Sequence, residues 1–316
     1  MTQRVAAIDC GTNSIRLLIA EIAADEQGLI DITRQMQIVR LGEGVDKTGL
    51  LSEAALTRTI GALRDYADLI AKAQPTGVRM VATSATRDAG NSREFTDRVT
   101  DILGVAPEVI SGDEEAWLSF TGATRELAGT SLAADTACPP PYLVTDIGGG
   151  STEFILGDPA GISGALSVNI GCVRLTERHL HTDPPSAAEV AAATADIDAA
   201  LDRVADTVQV GRASTLVGLA GSVTTVAGIA LGLPVYDSER IHHSRIPAMA
   251  VHRIASELLA MEKAERAAIP VMHPGRVDVI GAGSLILDRI MTRFGFAEVL
   301  VSEHDILDGI AWSLVP

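Results

Sequence analysis

The sequence predicts an α/β protein built from two equivalent domains. Three observations carry this. Hydrophobic residues make up 47% of the 316 positions but aromatics only 3%. A core of small aliphatic side chains suits helices layered on sheets better than a β-sandwich. Short apolar strand-like runs alternate with helical stripes along the chain. One unit, made of a strand, an acid, a Gly/Ser turn and a second strand, also occurs twice, at Asp9 and again at Asp146. Self-similarity of this kind is the mark of internal duplication.

The second copy is the clearer one. Residues 143–157 read LVTDIGGGSTEFILG. Leu143-Val144 feed Asp146, a glycine turn follows, and Glu153 opens a second apolar run. Gly148, Gly149 and Gly150 permit positive φ and let backbone N–H groups approach a ligand. A nest of such N–H groups holds an anion, with phosphate the usual one. An acid at each end of the turn, Asp146 and Glu153, suits a divalent cation between phosphate and protein. A plain glycine-rich hairpin loop would read the same way, and Glu153 also fits a hairpin-flank acid facing solvent. Placing Asp9 on Asp146 puts Gly11 on Gly148, Ser14 on Ser151, and Leu17-Leu18-Ile19 on Phe154-Ile155-Leu156. Two domains, each offering a phosphate hairpin to a shared cleft, account for the repeat.

Charge and cysteine usage narrow the class. With 25 Lys+Arg against 41 Asp+Glu, the formal charge is −16. This argues against a nonspecific nucleic-acid binder or an anionic-membrane binder. Cys10, Cys138 and Cys172 are odd in number and form no CxxC, which points to reduced thiols and a cytoplasmic protein. There is no apolar run of the roughly 18 residues that a membrane span requires and no signal-like N-terminus.

In order, residues 4–22 read as strand, turn, strand, and 32–45 as another strand. Ser52 starts a helix with Leu56, Ile60, Leu63, Ala67 and Ile70 on one stripe. Residues 79–83 form a short strand leading into Ser84-Ala85-Thr86-Arg87. A helix covers 92–103 and an edge strand 108–110. Ser111-Gly112-Asp113-Glu114-Glu115 opens a helix with Ala116, Trp117, Phe120 and Ala123 on one face. Residues 129–141 are small, polar and Pro-ended, the best linker candidate. The second domain opens at Tyr142. A strand at 165–170 precedes a short helix from about Cys172. Ser186 caps a helix to about Val210. A strand at 216–219 ends in Ala220-Gly221-Ser222, a turn whose N–H groups can also face an anion. Helices at about 248–260 and 263–269, a further helix introduced by 273–278, a strand at 299–301 and a helix over 305–314 complete the chain.

Several side chains bear chemistry. Asp9 and Asp146 end matched strands, where acids are poor residues. They serve either as Asx-turn acceptors or as holders of a Mg²⁺ ion that keeps most of its waters. Ser111 and Glu114 fit a capping box, which explains Glu114 but not Glu115. Glu115 is a candidate to take a proton from water at a phosphate centre. Arg87 is either a solvated charge or a fork on phosphate oxygens, and Arg174 and Arg276 read the same way. The histidines show no HExxH and suit surface or supporting positions. No G-x-S-x-G elbow is present, so a serine hydrolase is unsupported.

The motifs DCGTNSIRLLIAE at 9–21, TSATRDA at 83–89, SGDEEAWLSFTGA at 111–123 and DIGGGSTEF at 146–154 together resemble the exopolyphosphatase/guanosine pentaphosphate phosphohydrolase (Ppx/GppA) family. NIGCVRLTE at 169–177, AGSVTT at 220–225 and HPGRVDVI at 273–280 extend the resemblance over nearly the whole chain. The resemblance implies two actin-like domains of the sugar kinase/Hsp70 and ribonuclease H-like type around a central cleft. Their expected extents are 1–128 with 303–316 for domain I and 142–302 for domain II. It implies Mg²⁺-dependent hydrolysis, with Mn²⁺ as the other candidate metal, of terminal phosphate from polyphosphate or of the 5′ γ-phosphate of pppGpp. Glu115 inherits the water-activating role with Arg87 beside it. Asp9, Asp146 and Glu153 inherit the metal. Gly11, Thr12, Asn13, Ser14, Gly148, Gly149, Gly150, Ser151, Gly221 and Ser222 inherit the phosphate contacts. The expected ligands are polyphosphate or pppGpp/ppGpp, a homodimer is admitted, and neither nucleic acid nor membrane is a partner. A non-catalytic sensor of these ligands and a small-molecule kinase on the same fold are the competing readings. One departure stands out. The family's Gly-Leu-Arg-x-Gly segment here reads Asp305-Ile306-Leu307-Asp308-Gly309, without the arginine. With no extra C-terminal domains after residue 316, short polyphosphate or pppGpp is expected to be preferred over very long chains.

Overall fold

The structure is a computed structural model that describes residues 2–23, 28–125, 127 and 138–315. In chain order the elements begin with strands β1 (Thr2–Cys10), β2 (Ser14–Ala23) and β3 (Leu29–Ile38). Helices α1 (Val45–Thr48) and α2 (Glu53–Ala73), strand β4 (Gly77–Ala82), helices α3 (Ser84–Asp88) and α4 (Ser92–Leu103), strand β5 (Glu108–Val109) and helix α5 (Gly112–Thr124) follow. Next come β6 (Tyr142–Ile147), β7 (Thr152–Asp158), β8 (Gly161–Val168), α6 (Cys172–His179), α7 (Ala187–Thr207), β9 (Thr215–Leu219) and α8 (Ala220–Ala230). The last are α9 (Ser238–Ile241), β10 (Arg245–Pro247), α10 (Ala248–Ala260), α11 (Lys263–Ala267), α12 (Ile280–Phe294), β11 (Glu298–Val301) and α13 (Ile306–Trp312). The chain divides into two compact units, Met1–Ser131 with Asp305–Pro316, and Leu132–His304. Most of the expected linker, residues 129–137, lies outside the described residues.

The first unit has a five-stranded sheet in the order β3-β2-β1-β4-β5. The first three strands are antiparallel, and β4 and β5 are parallel to β1. Successive side chains on a strand point to opposite faces, and here both faces are covered. Ala6, Ile8, Ile15 and Leu17 pack with Leu56 and Tyr66 of α2 and Phe95 of α4. Val5, Ala7, Leu18 and Ala20 pack with Leu118 of α5 and Ile306 and Ile310 of α13. This burial on both sides explains why β1 and β2 read as continuous apolar runs. Ser52 caps α2 by accepting from the Ala55 N–H at 3.2 Å. The strand expected over 32–45 ends at Ile38. The chain leaves the sheet there because the Val39 and Arg40 N–H groups turn to the Asn13 carbonyl, at 3.0 and 2.9 Å.

The second unit has a six-stranded sheet, β10-β11-β9-β6-β7-β8. Read from β8, it is an antiparallel meander followed by the parallel strands β9 and β11, with β10 added antiparallel at the edge. Apart from β10, this is the strand order of the first unit. Each unit is thus an actin-like, ribonuclease H-like domain. Leu143, Ile147, Phe154 and Leu156 pack under α6, α7, α8, α10 and α12. Ser186 and Glu189 close a reciprocal capping box on α7. Among the described residues, no helix is long and apolar enough to cross a membrane.

Candidate active site

The two hairpins superpose in register as well as in order. Asp9 pairs with Arg16 across β1 and β2, and Asp146 with Glu153 across β6 and β7. The Gly11 N–H donates to Ser14 O and the Gly148 N–H to Ser151 O, each at 3.0 Å.

In the second unit the turn is pinned from behind. The Cys172 N–H donates to Gly148 O at 3.0 Å, the Val173 and Arg174 N–H groups to Gly149 O at 2.9 and 3.1 Å, and Arg174 Nε to Gly150 O at 2.7 Å. The first amides of α6, which lack partners within the helix, are satisfied by the turn. A trans peptide sets its N–H opposite its C=O. With three carbonyls drawn toward α6, the N–H groups of Gly149, Gly150 and Ser151 point the other way. They make no hydrogen bond among the described residues, the arrangement of donors that suits an anion. None of Gly148, Gly149 and Gly150 adopts the positive φ expected of them. The close approach to the turn is made at Gly171, where a Cβ would sit 2.5 Å from the Gly149 carbonyl carbon.

The first unit repeats the device with a loop in place of a helix. The Gly42 N–H donates to Thr12 O at 2.9 Å, and Val39 and Arg40 hold Asn13 O. The Thr12 and Asn13 N–H groups make no hydrogen bond among the described residues. The Thr12 hydroxyl meets Ser84 Oγ at 2.8 Å, tying the turn to the start of α3.

The acids behind the turns differ. Arg16 donates to Asp9 Oδ2 through Nε at 2.9 Å and Nη2 at 2.7 Å, and to Asp305 Oδ2 through Nη1. Asp9 is 4% exposed, and its Oδ1 is buried without a partner. Burial pushes the Asp9 carboxyl above the usual carboxylate range against the pull of Arg16, and Asp305 adds to the rise. Burial also acts to raise Asp305, but Arg16 and the Leu307 N–H hold it below its ordinary value. In the second unit Asp146 and Glu153 are both buried, and Glu153 Oε1 accepts from Ser167 Oγ at 2.7 Å.

Glu115 lies in the first turn of α5 and is 8% exposed. Arg87, at the end of α3, donates from Nη1 to Glu115 Oε2 at 3.0 Å and to Ile110 O at 2.8 Å. Its Nε and Nη2 make no hydrogen bond among the described residues, and the side chain is 26% exposed. A buried carboxylate is thus oriented by an arginine whose remaining donors can take oxygens. Two expectations here are corrected. Ser111 caps the Glu114 N–H at 3.2 Å, but the Glu114 carboxylate goes to Arg79 at 2.7 Å, so the capping box is only half formed. Trp117 is 48% exposed. The other members of the expected face, Ala116, Phe120 and Ala123, are buried, together with Glu115, Leu118, Ser119 and Gly122.

At the start of α8, Arg276 Nη1 donates to Gly221 O at 3.2 Å and to Thr225 Oγ1 at 3.1 Å. A Cβ at Gly221 would lie 2.3 Å from the Arg276 Cζ. Glycine there makes room for the guanidinium. The Ser222 side chain faces inward, and a Cβ on Gly283 would fall 2.2 Å from its Oγ. His242 and His243 fall between α9 and β10, where the strand and helix face rules do not apply. Their rings stack at 3.7 Å. Among the described residues, no group of three or more His, Cys, Asp or Glu side chains is arranged to hold a metal ion.

Sequence reading did not single out Arg16, Ser84, Ser167 or Asp305. Arg16 was within reach, since a hairpin turn centred on Thr12-Asn13 sets Asp9 opposite Arg16. Ser84 and Asp305 come from elements distant in sequence, and Ser167 from the next strand of the meander.

Backbone anion cradles and an arginine-held carboxylate on an actin-like scaffold define a phosphoryl-transfer enzyme, in which positioning and electrostatics do most of the chemistry. Comparison with known proteins makes it a phosphatase. The Ppx/GppA phosphatase family model matches residues 18–316. Exopolyphosphatase 2 of Mycobacterium tuberculosis is 46% identical, with 98% of each chain covered. The crystal structure of an exopolyphosphatase-like protein is 41% identical with a TM-score of 0.92, covering 99% of this chain and 98% of its own. The Aquifex aeolicus PPX-GPPA enzyme is 30% identical with a TM-score of 0.80, covering 99% of this chain and 100% of its own. The chain belongs to the Ppx/GppA phosphatase family.

Proposed function

We propose that this phosphatase is an exopolyphosphatase that releases the terminal phosphate of short inorganic polyphosphate with Mg²⁺ bound. The observation that carries the reading is the buried Glu115 carboxylate held by Arg87 at 3.0 Å. A general base for water must be fixed within hydrogen-bond reach of its target, and Arg87 fixes it. Glu115 accepts the proton of the attacking water. Arg87 Nε and Nη2 take oxygens of the phosphoryl group. In the first unit the N–H groups of Thr12 and Asn13 suit phosphate oxygens, and within the second unit those of Gly149, Gly150 and Ser151 do the same. The acids fit a magnesium ion. Mg²⁺ is held by one or two carboxylates with waters and substrate phosphate completing its shell. Asp146 and Glu153, side by side on one face of the second sheet, supply that donor set. Asp9 offers one oxygen, Oδ1, since Arg16 takes the other. When bound, the ion offsets phosphate charge. Support for polyphosphate as substrate comes from the M. tuberculosis relative's name; pppGpp is the alternative within the same family. A cytoplasmic setting accords with three cysteines that form no disulfide.

The test is phosphate release from short-chain polyphosphate and from pppGpp, with wild type and Glu115→Gln. Release from polyphosphate that falls roughly 100-fold or more in the variant supports the reading. Release mainly from pppGpp moves the substrate and keeps the mechanism. Tight binding with no release identifies a sensor and ends the catalytic assignment.

A further inference from the structure

Helix α13 starts with two buried aspartates that each do two things. Asp305 Oδ1 accepts the Leu307 N–H at 3.0 Å, capping the helix, while Oδ2 accepts from Arg16 Nη1. Asp308 Oδ2 accepts the Asp305 N–H at 3.0 Å, and its carboxylate also takes Arg34 at 2.5 and 3.2 Å. The same helix start is fixed against α5, which carries Glu115. A Cβ on Gly122 would lie 1.9 Å from Asp305 O, and one on Gly309 would lie 2.0 Å from Leu118 O. Backbone meets backbone at both points, so the first turn of α13 is anchored to α5 and, through Arg16, to β2.

A guanidinium beside a carboxylate commonly closes side-on, with one donor to each oxygen. Arg16 does otherwise. Both of its bonds to Asp9 end on Oδ2, its third goes to Asp305, and Asp9 Oδ1 stays buried and unpartnered. Leaving a buried charged oxygen without a partner is costly, so something must prevent Arg16 from covering it. The two carboxylates sharing one guanidinium also leave one negative charge over, which favours a cation at the open oxygen. We propose that Asp305 is a positioning residue for Asp9: it holds Arg16 so that only Oδ2 is paired, keeping Oδ1 unpaired for the hydration shell of the divalent cation. The cation's place in the reaction rests on the proposed phosphatase chemistry; the positioning itself does not.

The test is a double-mutant cycle on the full chain with Asp305→Ser and Arg16→Met. Serine keeps a helix cap but is too short to reach Arg16. The readouts are the midpoint Mg²⁺ concentration for thermal stabilisation, and kcat and KM for phosphate release. Asp305→Ser is expected to raise the Mg²⁺ midpoint about 10–100-fold, the usual effect of losing an outer-shell partner. It should lower kcat while leaving KM at saturating Mg²⁺ near wild type. In the Arg16→Met background, Asp305→Ser should cause no further change, because Asp305 acts through Arg16. An unshifted Mg²⁺ midpoint in Asp305→Ser, losses that add in the double variant, or a wild type whose stability ignores Mg²⁺ would each overturn the proposal. If Asp305→Ser does not fold, Asp305→Asn keeps the cap and the reach without the charge and is read the same way. A wild type that binds Mg²⁺ but releases no phosphate removes the proposed reaction and still leaves the cycle to decide on Asp305.

Discussion

In the first unit Asp9 stands across its hairpin from Arg16, and in the second Asp146 stands across from Glu153. Backbone, register and the Gly N–H to Ser O bond are the same in both. Both turns have their carbonyls pulled back by the segment after the third strand, a loop at 39–42 in one and the start of α6 in the other. The duplicated part is therefore the anion cradle, and the diverged part is the charge behind it. An acid facing an arginine is paired, with one oxygen spare. In the second hairpin an acid faces an acid instead. One backbone supports both outcomes because cross-strand partners share a face at about 5 Å, so a single residue sets the local charge.

The largest effect expected on this comparison is from Arg16→Met. It strips the guanidinium from Asp9 and Asp305, whose side chains are 6% and 4% exposed. Breaking a buried pair from one side costs about 3–5 kcal/mol. Urea unfolding at neutral pH checks this, and a loss under about 1 kcal/mol would place the cluster in the surface class and erase the contrast between the hairpins. Next comes the pair Gly171→Ala and Gly42→Ala. At Gly171 the new methyl meets the Gly149 backbone at 2.5 Å, whereas at Gly42 it meets the Thr12 Cγ2 at 2.3 Å. A side-chain methyl can rotate away and a backbone cannot. Gly171→Ala should lose about 1–3 kcal/mol and weaken phosphate binding, with Gly42→Ala milder in both by thermal melts and phosphate titration. Equal losses would show that the two turns are backed with the same rigidity. The smallest effect is that of Glu153→Gln. Neutralising one acid of the second hairpin should raise the Mg²⁺ midpoint about tenfold, or about 1.4 kcal/mol. No change would shift the metal away from this pair.

Much of this was legible in the chain because it is local. Alternating apolar runs around Asp9 and Asp146 announce hairpins, and their repetition announces duplication. Ser52 and Ser186 mark helix starts that the structure keeps. Glu115 was noticed because a cap explains Glu114 and leaves its neighbour unexplained. The misreadings are also instructive. Trp117 looked like a core residue by spacing, but the inward stripe of α5 is set by its contact with α13 through Gly122 and Gly309. The glycines of 148–150 looked like left-handed turn residues, but none has a positive φ, and the close contact between the turn and the start of α6 depends on Gly171.

By itself the sequence determined the α/β class, the repeated hairpin and the position of its two Gly/Ser turns, and it singled out Glu115 as a candidate. Each depends on residues within one turn or one hairpin, where spacing dictates geometry. Only the tertiary structure decided that Arg87 holds Glu115, that the turn carbonyls are drawn back so their N–H groups face outward, and that Asp305, 289 positions from Arg16, occupies its third donor. These contacts join segments far apart in the chain. Their partners are chosen by how strands order and helices pack, which no local pattern encodes.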